Sequence, residues 1–410
     1  MKCLKCFVFC LLLSFSCMTA GGKGKFVRVE GTSLVSPDGS EFFIRGTNLG
    51  NWLNPEGYMF CFPKRANSAR QINDGLCELV GPEYVRNFWE MFVQNYVTEE
   101  DIAYLASTGL NTIRIPFHYK MFTDEQYMCF NTREDGYRLM DNVVGWCKKY
   151  GIKVILDMHV CPSGQTGDNI DDSYGYPWLF VEEGSRRVFL SIWKDIARHY
   201  RNEPAILGYD LMNEPVAHYF KDKEELNKAC VELYQEACAE IRKIDKNHIL
   251  IIGGLQWNGN FKPLRSVEFG DNVMYSCHIY KCPPTVGSIS HFVQFRNESG
   301  CPMYMGETGE NTDEWVHDFR IAMENVGISW TYWCYKKLDN TKGFLNIVLP
   351  EGWDEIVRFL EADRSTFAGI REANGDRDRC KGILDTYLEN CKFANCNINK
   401  GYISALGLKP

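Results

Sequence analysis

The sequence predicts an α/β fold, a single (β/α)8 barrel of the TIM type. Short runs rich in β-branched residues recur along the chain, each is followed by a longer stretch with one apolar face at helical spacing, and the alternation reaches eight. Parallel strands alternating with helices to that number close most simply into a barrel. A doubly wound open sheet is the alternative. It would ordinarily carry a glycine-rich phosphate turn after its first strand, and the chain has none there.

The expected strands are Phe43–Asn48, Thr112–Pro116, Lys153–Met158, Leu207–Met212, Ile249–Gly253, Met274–His278, Met303–Gly306 and Ser329–Tyr332. Helical patterns lie between them, over Glu99–Ser107, Arg138–Lys149, Ser185–Tyr200, Lys223–Ile244 and Glu314–Asn325, each with the spacing that buries one face. One barrel domain is expected over residues 22–363, with a C-terminal extension over 364–410 packed on it. The long first connection, Gly50 to Thr98, should decorate the rim of the functional face, because the loops that follow barrel strands build that face.

Lys2 and Lys5 precede an apolar run from Phe7 to Phe15 and small residues ending at Ala20, the pattern of a signal peptide over residues 1–20. The mature protein is then expected to be secreted, periplasmic or held at the cell surface. Cys17 follows Leu13 at a spacing that loosely matches a lipoprotein box, so a lipid anchor at Cys17 competes with cleavage after Ala20. No later segment approaches the roughly 20 apolar residues of a membrane helix, so no transmembrane segment is expected.

Losing the two leader lysines takes the formal charge from −8 to −10. No basic stripe remains to follow a phosphate backbone, which excludes nucleic acid as the expected partner. Of 18 cysteines, Cys3, Cys6, Cys10 and Cys17 lie in the leader. Export permits disulfides among the rest, with Cys391 and Cys396 as candidate partners, although spacing leaves the pairing open. Without a CxxC pair or an HExxH run in the mature chain, structural zinc is the weaker explanation.

Polar side chains at the C-terminal ends of barrel strands converge on one pocket. Taken in order, those ends supply Asn48, Arg114, His159, Asn213 with Glu214, His278 with Tyr280, Glu307 and Trp333. Structural roles compete for several of them: Arg114 in a buried ion pair, His159 and His278 as satisfied core histidines, Trp333 as core volume. The two glutamates resist such a reading, because an interior carboxylate after an apolar strand costs free energy unless something pairs or uses it. Breaking a glycosidic bond needs two carboxyl groups, one to protonate the departing oxygen and one to meet the oxocarbenium-like centre. Two carboxylates suffice for that reaction, so no metal or organic cofactor is implied.

The segments LGYDLMNEP (207–215), HIY (278–280), MGETG (305–309) and WTYWCYK (330–336) resemble glycoside hydrolase family 5 of clan A, the cellulase superfamily. The resemblance spans all eight expected strands and implies a retaining β-glycoside hydrolase. In it Glu214 corresponds to the acid/base, Glu307 to the nucleophile, and Asn213 to the residue that holds the sugar 2-hydroxyl. Arg114 corresponds to the arginine that keeps the nucleophile charged and oriented, and Tyr280 to its hydroxyl partner. His159 and His278 resemble pocket histidines, and Trp333 the aromatic floor beneath the reacting sugar. Burial and the facing charge of Glu307 should raise the pKa of Glu214, and retention requires the two carboxyl groups to lie about 5–5.5 Å apart. Glu310 and Glu314 are close in sequence, but only Glu307 directly follows the strand ending at Gly306.

Two stretches, NLGNWLNPEGY (48–58) and DMHVCPSGQTGDN (157–169), resemble the exo-β-1,3-glucanase and β-glucosidase members, with Glu56 at the place of their sugar-binding glutamate. Asn51 and Gly57 depart from that group's glycine and proline, and Glu56 then competes with a reading as a rim salt bridge. The implied substrate is a β-glucan or β-glucoside, cut from the chain end. The alternatives are an endo-acting cellulase or mannanase, a transglycosylase, and a non-catalytic surface glycan-binding protein. Trp52, Tyr58, Phe60, Tyr174, Tyr176 and Trp178 either line further sugar sites or pack as lids.

Overall fold

The computed structural model describes residues 24–410; the expected signal peptide and the lipid-anchor site at Cys17 lie outside the described residues. A short antiparallel hairpin, β1 (Arg28–Glu30) and β2 (Ser33–Val35), precedes the barrel. The barrel itself is β3 (Arg45–Asn48), β4 (Thr112–His118), β5 (Lys153–Val160), β6 (Ile206–Asp210), β7 (Ile249–Gly253), β8 (Val273–His278), β9 (Met303–Glu307) and β10 (Ser329–Tyr332). All eight run parallel, and β10 bonds back to β3 to close the ring. Each expected strand is therefore present. β4 and β5 run on to His118 and Val160, whereas β6 stops at Asp210, leaving Asn213 and Glu214 in the loop beyond it.

Helices cover the outside of the strands, which explains why β5 reads KVILDMHV with every residue after Lys153 buried. The helix Arg133–Tyr150 starts at a capping box between Thr132 and Asp135 and stops at Gly151 in the left-handed conformation. Inside the ring the composition changes from one end to the other. Val27 and Leu34 of the hairpin region pack on Ile44, Ile155, Leu207 and Ile249, plugging the N-terminal end. At ~1.5–3 kcal/mol for each such side chain buried, the plug is a stability device. Above it the interior turns polar, at Arg114, Asp157 and Asp210, all fully buried.

Only the first part of the long connection after β3 reaches the rim, through Glu56 and Tyr58. The remainder forms two helices, Ala69–Val80 and Pro82–Tyr96. They bury their apolar faces against the C-terminal helix Arg377–Asn390, whose Tyr387 ring lies among Phe60, Phe88, Phe92 and Trp353. The expected rim decoration is thus corrected, because the faces of these helices are apolar and need a partner. The C-terminal segment also adds β13 (Asn397–Ile398) to a small sheet with β11 (Lys336–Leu338) and β12 (Leu345–Ile347). Beneath that sheet, Lys336 Nζ lies 2.6 Å from Asp101 Oδ1 and donates to the carbonyls of Tyr96 and Cys391 at 2.7 and 2.8 Å. All three ammonium protons are used, which offsets the cost of burying the charge.

All 14 cysteines among the described residues are free thiols, so the candidate pair Cys391 and Cys396 is not bridged. The turn Phe393–Asn395 between them points the Cys396 thiol at the backbone carbonyls of Asn390 and Cys391 instead. Among the described residues no helix is long and apolar enough to cross a membrane.

Candidate active site

Arg114 sits in the third position of β4 rather than at its end, and its guanidinium reaches across the ring interior. Nε donates to Asp210 Oδ2 at 2.9 Å; Nη1 donates to Glu307 Oε1 at 2.7 Å and Asn48 Oδ1 at 3.0 Å; Nη2 donates to Asn213 Oδ1 at 2.9 Å. Nη2 also lies 3.0 Å from Asp157 Oδ1. One buried cation therefore gathers three carboxyl groups. Burial pushes the Asp157 and Asp210 carboxyls up, and Arg114 pulls them back toward the charged form. Neither aspartate figured among the expected site residues. The available signal was a charged residue inside an otherwise apolar strand, at KVILDMHV and ILGYD.

The end of β4 is His118, also missed. It is buried, stacks on Tyr127 with ring centroids 4.1 Å apart, and faces Asp172 at 3.6 Å.

Glu307, the last residue of β9, has both oxygens held: Tyr280 Oη donates to Oε2 at 3.0 Å, opposite the Arg114 contact on Oε1. Gly306 beneath it admits no side chain, since a Cβ would come within 2.3 Å of Ser276 Oγ and 2.8 Å of His278 Nε2. Asn213 is oriented from two sides, accepting from Arg114 and donating through Nδ2 to His159 Nε2 at 3.3 Å. His159 Nδ1 in turn donates to Asp157 Oδ2 at 2.7 Å. Burial lowers the His159 pKa to about 4 and that of His278 to about 3, so both rings are neutral at pH 7.

Glu214 has a left-handed backbone, φ 47°, as does Val216 at φ 57°. That conformation costs a residue with a side chain roughly 1–2 kcal/mol, so neighbours must hold it. The loop after β5 does so. Thr166 Oγ1 donates to the Glu214 carbonyl at 2.7 Å, and the Gln165 amide donates to the carbonyls of Asn213 and His159, each at 2.8 Å. Asp171 in turn accepts from the Thr166 and Gly167 amides at 2.7 Å. These three side chains are a positioning frame that sequence reasoning did not single out. Glu214 Oε1 lies 2.9 Å from His278 Nδ1. Its pKa is raised to about 7, chiefly by burial, with the Asp168 carboxylate adding to it. Burial rather than the charge of Glu307 is thus the main cause.

Trp333 forms one wall. Its indole lies nearly parallel to His159, centroids 5.6 Å apart at 14°, and donates from Nε1 to Tyr58 Oη at 2.6 Å. Gly50 makes room for it, because a Cβ there would meet the indole at 2.7 Å. Beside it Glu56 is buried, not a rim residue, and its Oε1 has no hydrogen-bond partner in the protein. Burial and then the carboxylates of Glu307, Glu310 and Glu214 push its pKa well up. Glu310 pairs with Lys337, whose ammonium lies over the Tyr58 ring at 5.2 Å. Glu314 belongs to the helix Asp313–Glu324, away from these groups. Trp52 and Phe60 are core residues, buried to 0% and 1% exposure.

These walls enclose a cavity of about 400 Å³, with Asp168, Ile170 and Trp257 on the far side. Hollows of about 710 and 1000 Å³ open at the opposite end of the barrel, around Leu264–Val273 and the β1–β2 hairpin. They hold no comparable convergence of buried acids, so the smaller cavity is the site. Its arrangement, one carboxylate fixed by two donors and one carboxyl kept near neutrality by burial, can deliver a nucleophile and a proton to the same bond.

The family model for cellulase (glycosyl hydrolase family 5) matches residues 78–339. A beta-xylosidase of Phanerodontia chrysosporium is 32% identical over 262 residues, 62% of this chain and 52% of that protein, so the chain spans about half the length of this relative. Endoglucanase C of Acetivibrio thermocellus is 26% identical over 306 residues, 60% of this chain and 85% of its own. A glucan 1,3-beta-glucosidase of Kluyveromyces lactis is 27% identical over 313 residues, 70% of each chain. The crystal structure of rutinosidase from Aspergillus niger shares the fold with a TM-score of 0.57 at 18% identity, covering 74% of this chain and 92% of that one. On the match across residues 78–339, the chain belongs to the cellulase family, glycosyl hydrolase family 5.

Proposed function

We propose that the protein is a retaining β-glycoside hydrolase that releases β-linked glucose from the ends of β-glucans or from β-glucosides, with Glu307 as nucleophile and Glu214 as acid/base. The observation that carries this reading is the close facing of the two carboxyl groups. One oxygen of each, together with a ring nitrogen of His278, lie within 4.8 Å of one another. An inverting enzyme separates its carboxyl groups by about 6.5–9.5 Å to admit a water, whereas a retaining one holds them about 5–5.5 Å apart. The observed spacing supports direct attack.

In the first step Glu307, aimed by Arg114 and Tyr280, bonds to the anomeric carbon while Glu214 gives its proton to the departing oxygen. In the second, Glu214 takes a proton from water, the resulting hydroxide attacks the same carbon, and Glu307 is released. Asn213, fixed by Arg114 and His159, lines the cavity and has one amide proton left to donate to the sugar 2-hydroxyl.

The acid must be protonated at the outset, and the Glu214 pKa is about 7. Activity is therefore present below that pH and lost above it. The kcat/KM profile should bend downward near pH 7, and Glu214→Gln should erase the bend. The loss in that variant should be largest on substrates with poor leaving groups. An unchanged alkaline limb in the variant would remove Glu214 from the role.

End-on cleavage is supported by Glu56, a buried carboxyl among the residues that line the cavity, and by the glucan 1,3-beta-glucosidase relative. Glu56→Ala should lower kcat/KM on β-1,3-linked glucose oligomers roughly 2–10-fold, from the ~0.5–1.5 kcal/mol of a hydrogen bond to an uncharged carboxyl group. The endoglucanase relative supports the endo-acting alternative. Assays on nitrophenyl β-glucoside, laminarin, carboxymethylcellulose and mannan decide between them. Exclusive mannan activity would overturn the glucose assignment, and a fall in viscosity ahead of sugar release would overturn end-on cleavage. Action outside the cytoplasm is part of the same proposal, supported by the leader pattern from Lys2 to Ala20.

A further inference from the structure

The parallel pairing of β8 with β9 slips by one residue after Cys277, so that His278 stands opposite Glu307 rather than opposite Gly306. The slip sets an imidazole beside the two carboxyl groups. His278 Nδ1 lies 2.9 Å from Glu214 Oε1 and 3.7 Å from Glu307 Oε2. Double displacement uses both carboxyl groups and gives this nitrogen no bond to make or break.

One nitrogen and two carboxylate oxygens meeting in this way form a set of metal ligands. One ligand atom from each of the three residues lies within 4.8 Å of the others. Around a tetrahedral zinc ion with bonds of about 2.1 Å, ligand atoms stand about 3.4 Å apart. The two distances from Nδ1 fall on either side of that value, so small side-chain rotations bring the three atoms to it. Three protein ligands leave the fourth position open to water, and the cavity of about 400 Å³ in which Glu214 and Glu307 lie has room for it.

The groups behind these atoms suit a metal as well. A ligating imidazole needs an acceptor for the proton on its other nitrogen, and ligating carboxylates need donors of their own. His278 Nε2 is buried and has no hydrogen-bond partner in the protein. Ser276 Oγ borders the same small space, since a Cβ on Gly306 would come within 2.3 Å of that hydroxyl and 2.8 Å of Nε2. With a metal on Nδ1 the ring proton sits on Nε2, and Ser276 Oγ is the oxygen placed to accept it. Glu307 already has its donors, Arg114 on Oε1 and Tyr280 on Oε2.

We propose that Glu214, His278 and Glu307 bind one zinc ion, with Ser276 holding the imidazole, and that the bound ion switches the enzyme off reversibly. The ion takes an oxygen from each carboxyl group, so Glu307 cannot reach the anomeric carbon and Glu214 has no proton to give. A nitrogen ligand in a set of three selects zinc or copper(II) over magnesium and calcium, which prefer oxygen alone. Binding stands on the geometry; the loss of turnover rests on the hydrolase reading.

The test titrates zinc chloride into the whole protein after chelator treatment and desalting. Calorimetry should register one equivalent. Hydrolysis of nitrophenyl β-glucoside should fall about tenfold at a free zinc concentration about ten times the dissociation constant, through KM rather than kcat, and recover on adding EDTA. Magnesium and calcium at that concentration should change the rate by less than about twofold. Glu214→Gln and Glu307→Gln each remove a ligand and should weaken zinc binding about tenfold or more, and Ser276→Ala about 10–100-fold, all read by calorimetry. Cobalt(II) in place of zinc should show no thiolate charge-transfer band, which separates this site from the 14 free thiols. Absence of stoichiometric binding, undiminished binding in both glutamine variants, or a thiolate band from the single cobalt ion would overturn the metal site. Zinc bound as described by a protein that hydrolyses none of the β-linked substrates would overturn the hydrolase reading and leave the metal site standing.

Discussion

Replacing Glu307 by glutamine is expected to stop turnover, with a loss in kcat on the order of 10⁴–10⁶-fold, the range seen when a covalent nucleophile is removed. The fold should survive. Glutamine has nearly the same volume, and Arg114 keeps Asp210 at 2.9 Å and Asp157 at 3.0 Å, so the buried cation is not left unpaired. Thermal unfolding within a few degrees of the wild type, together with absent turnover, is the expected pair of results. Glu307→Ala adds a positive control: azide, entering the space left by the carboxylate, should convert an activated β-glucoside to the α-glycosyl azide. Retained hydrolysis in the glutamine variant would end the assignment.

Replacing Arg114 by methionine is expected to be the most destabilising single change in the site. It leaves Asp157, Asp210 and Glu307 without their shared cation in a dry interior. Breaking a buried pair in this way costs about 3–5 kcal/mol. The effect has a pH sign. Asp157 and Asp210 are already raised by burial in the folded state, and without Arg114 they rise further. An acid whose folded pKa exceeds its unfolded one binds more protons when folded, so its contribution is most favourable at low pH and is lost as pH rises through the folded value. The Arg114→Met deficit in urea unfolding should therefore be larger at pH 7.5 than at pH 5. An equal deficit at the two pH values would show that lost packing, not uncompensated charge, sets the cost. Lysine should not substitute, because one ammonium cannot span Asn48, Asp210, Asn213 and Glu307 as the forked guanidinium does.

Most of the barrel was legible because each strand is a short apolar run and period is a local property. Even so, local pattern ran past the structure at Met212, which lies beyond the end of β6, and fell short of it at His118 and Val160. The two glutamates stood out by position after apolar strands. Asp157 and Asp210 did not, since a lone aspartate in a strand carries no mark of the arginine it will meet. The frame of Gln165, Thr166 and Asp171 was hidden for a related reason: its partners are backbone carbonyls and amides, which every residue has. Spacing left the cysteine pairing open, and the candidate pair Cys391 and Cys396 is unbridged, because proximity in sequence says nothing of the direction in which two thiols point.

By itself the amino-acid sequence determined the alternation of strand and helix, the identity of Glu214 and Glu307 as the carboxylates worth watching, and the family, because these rest on neighbours along the chain. Only the tertiary structure decided that residues 114, 157, 210 and 307 share one buried charge cluster, that Glu56 is enclosed rather than at the rim, and that burial sets the proton affinity of Glu214. The physical reason is that desolvation and pairing depend on what surrounds a group in space, and closing eight strands into a ring brings together side chains nearly two hundred residues apart, as between Arg114 and Glu307.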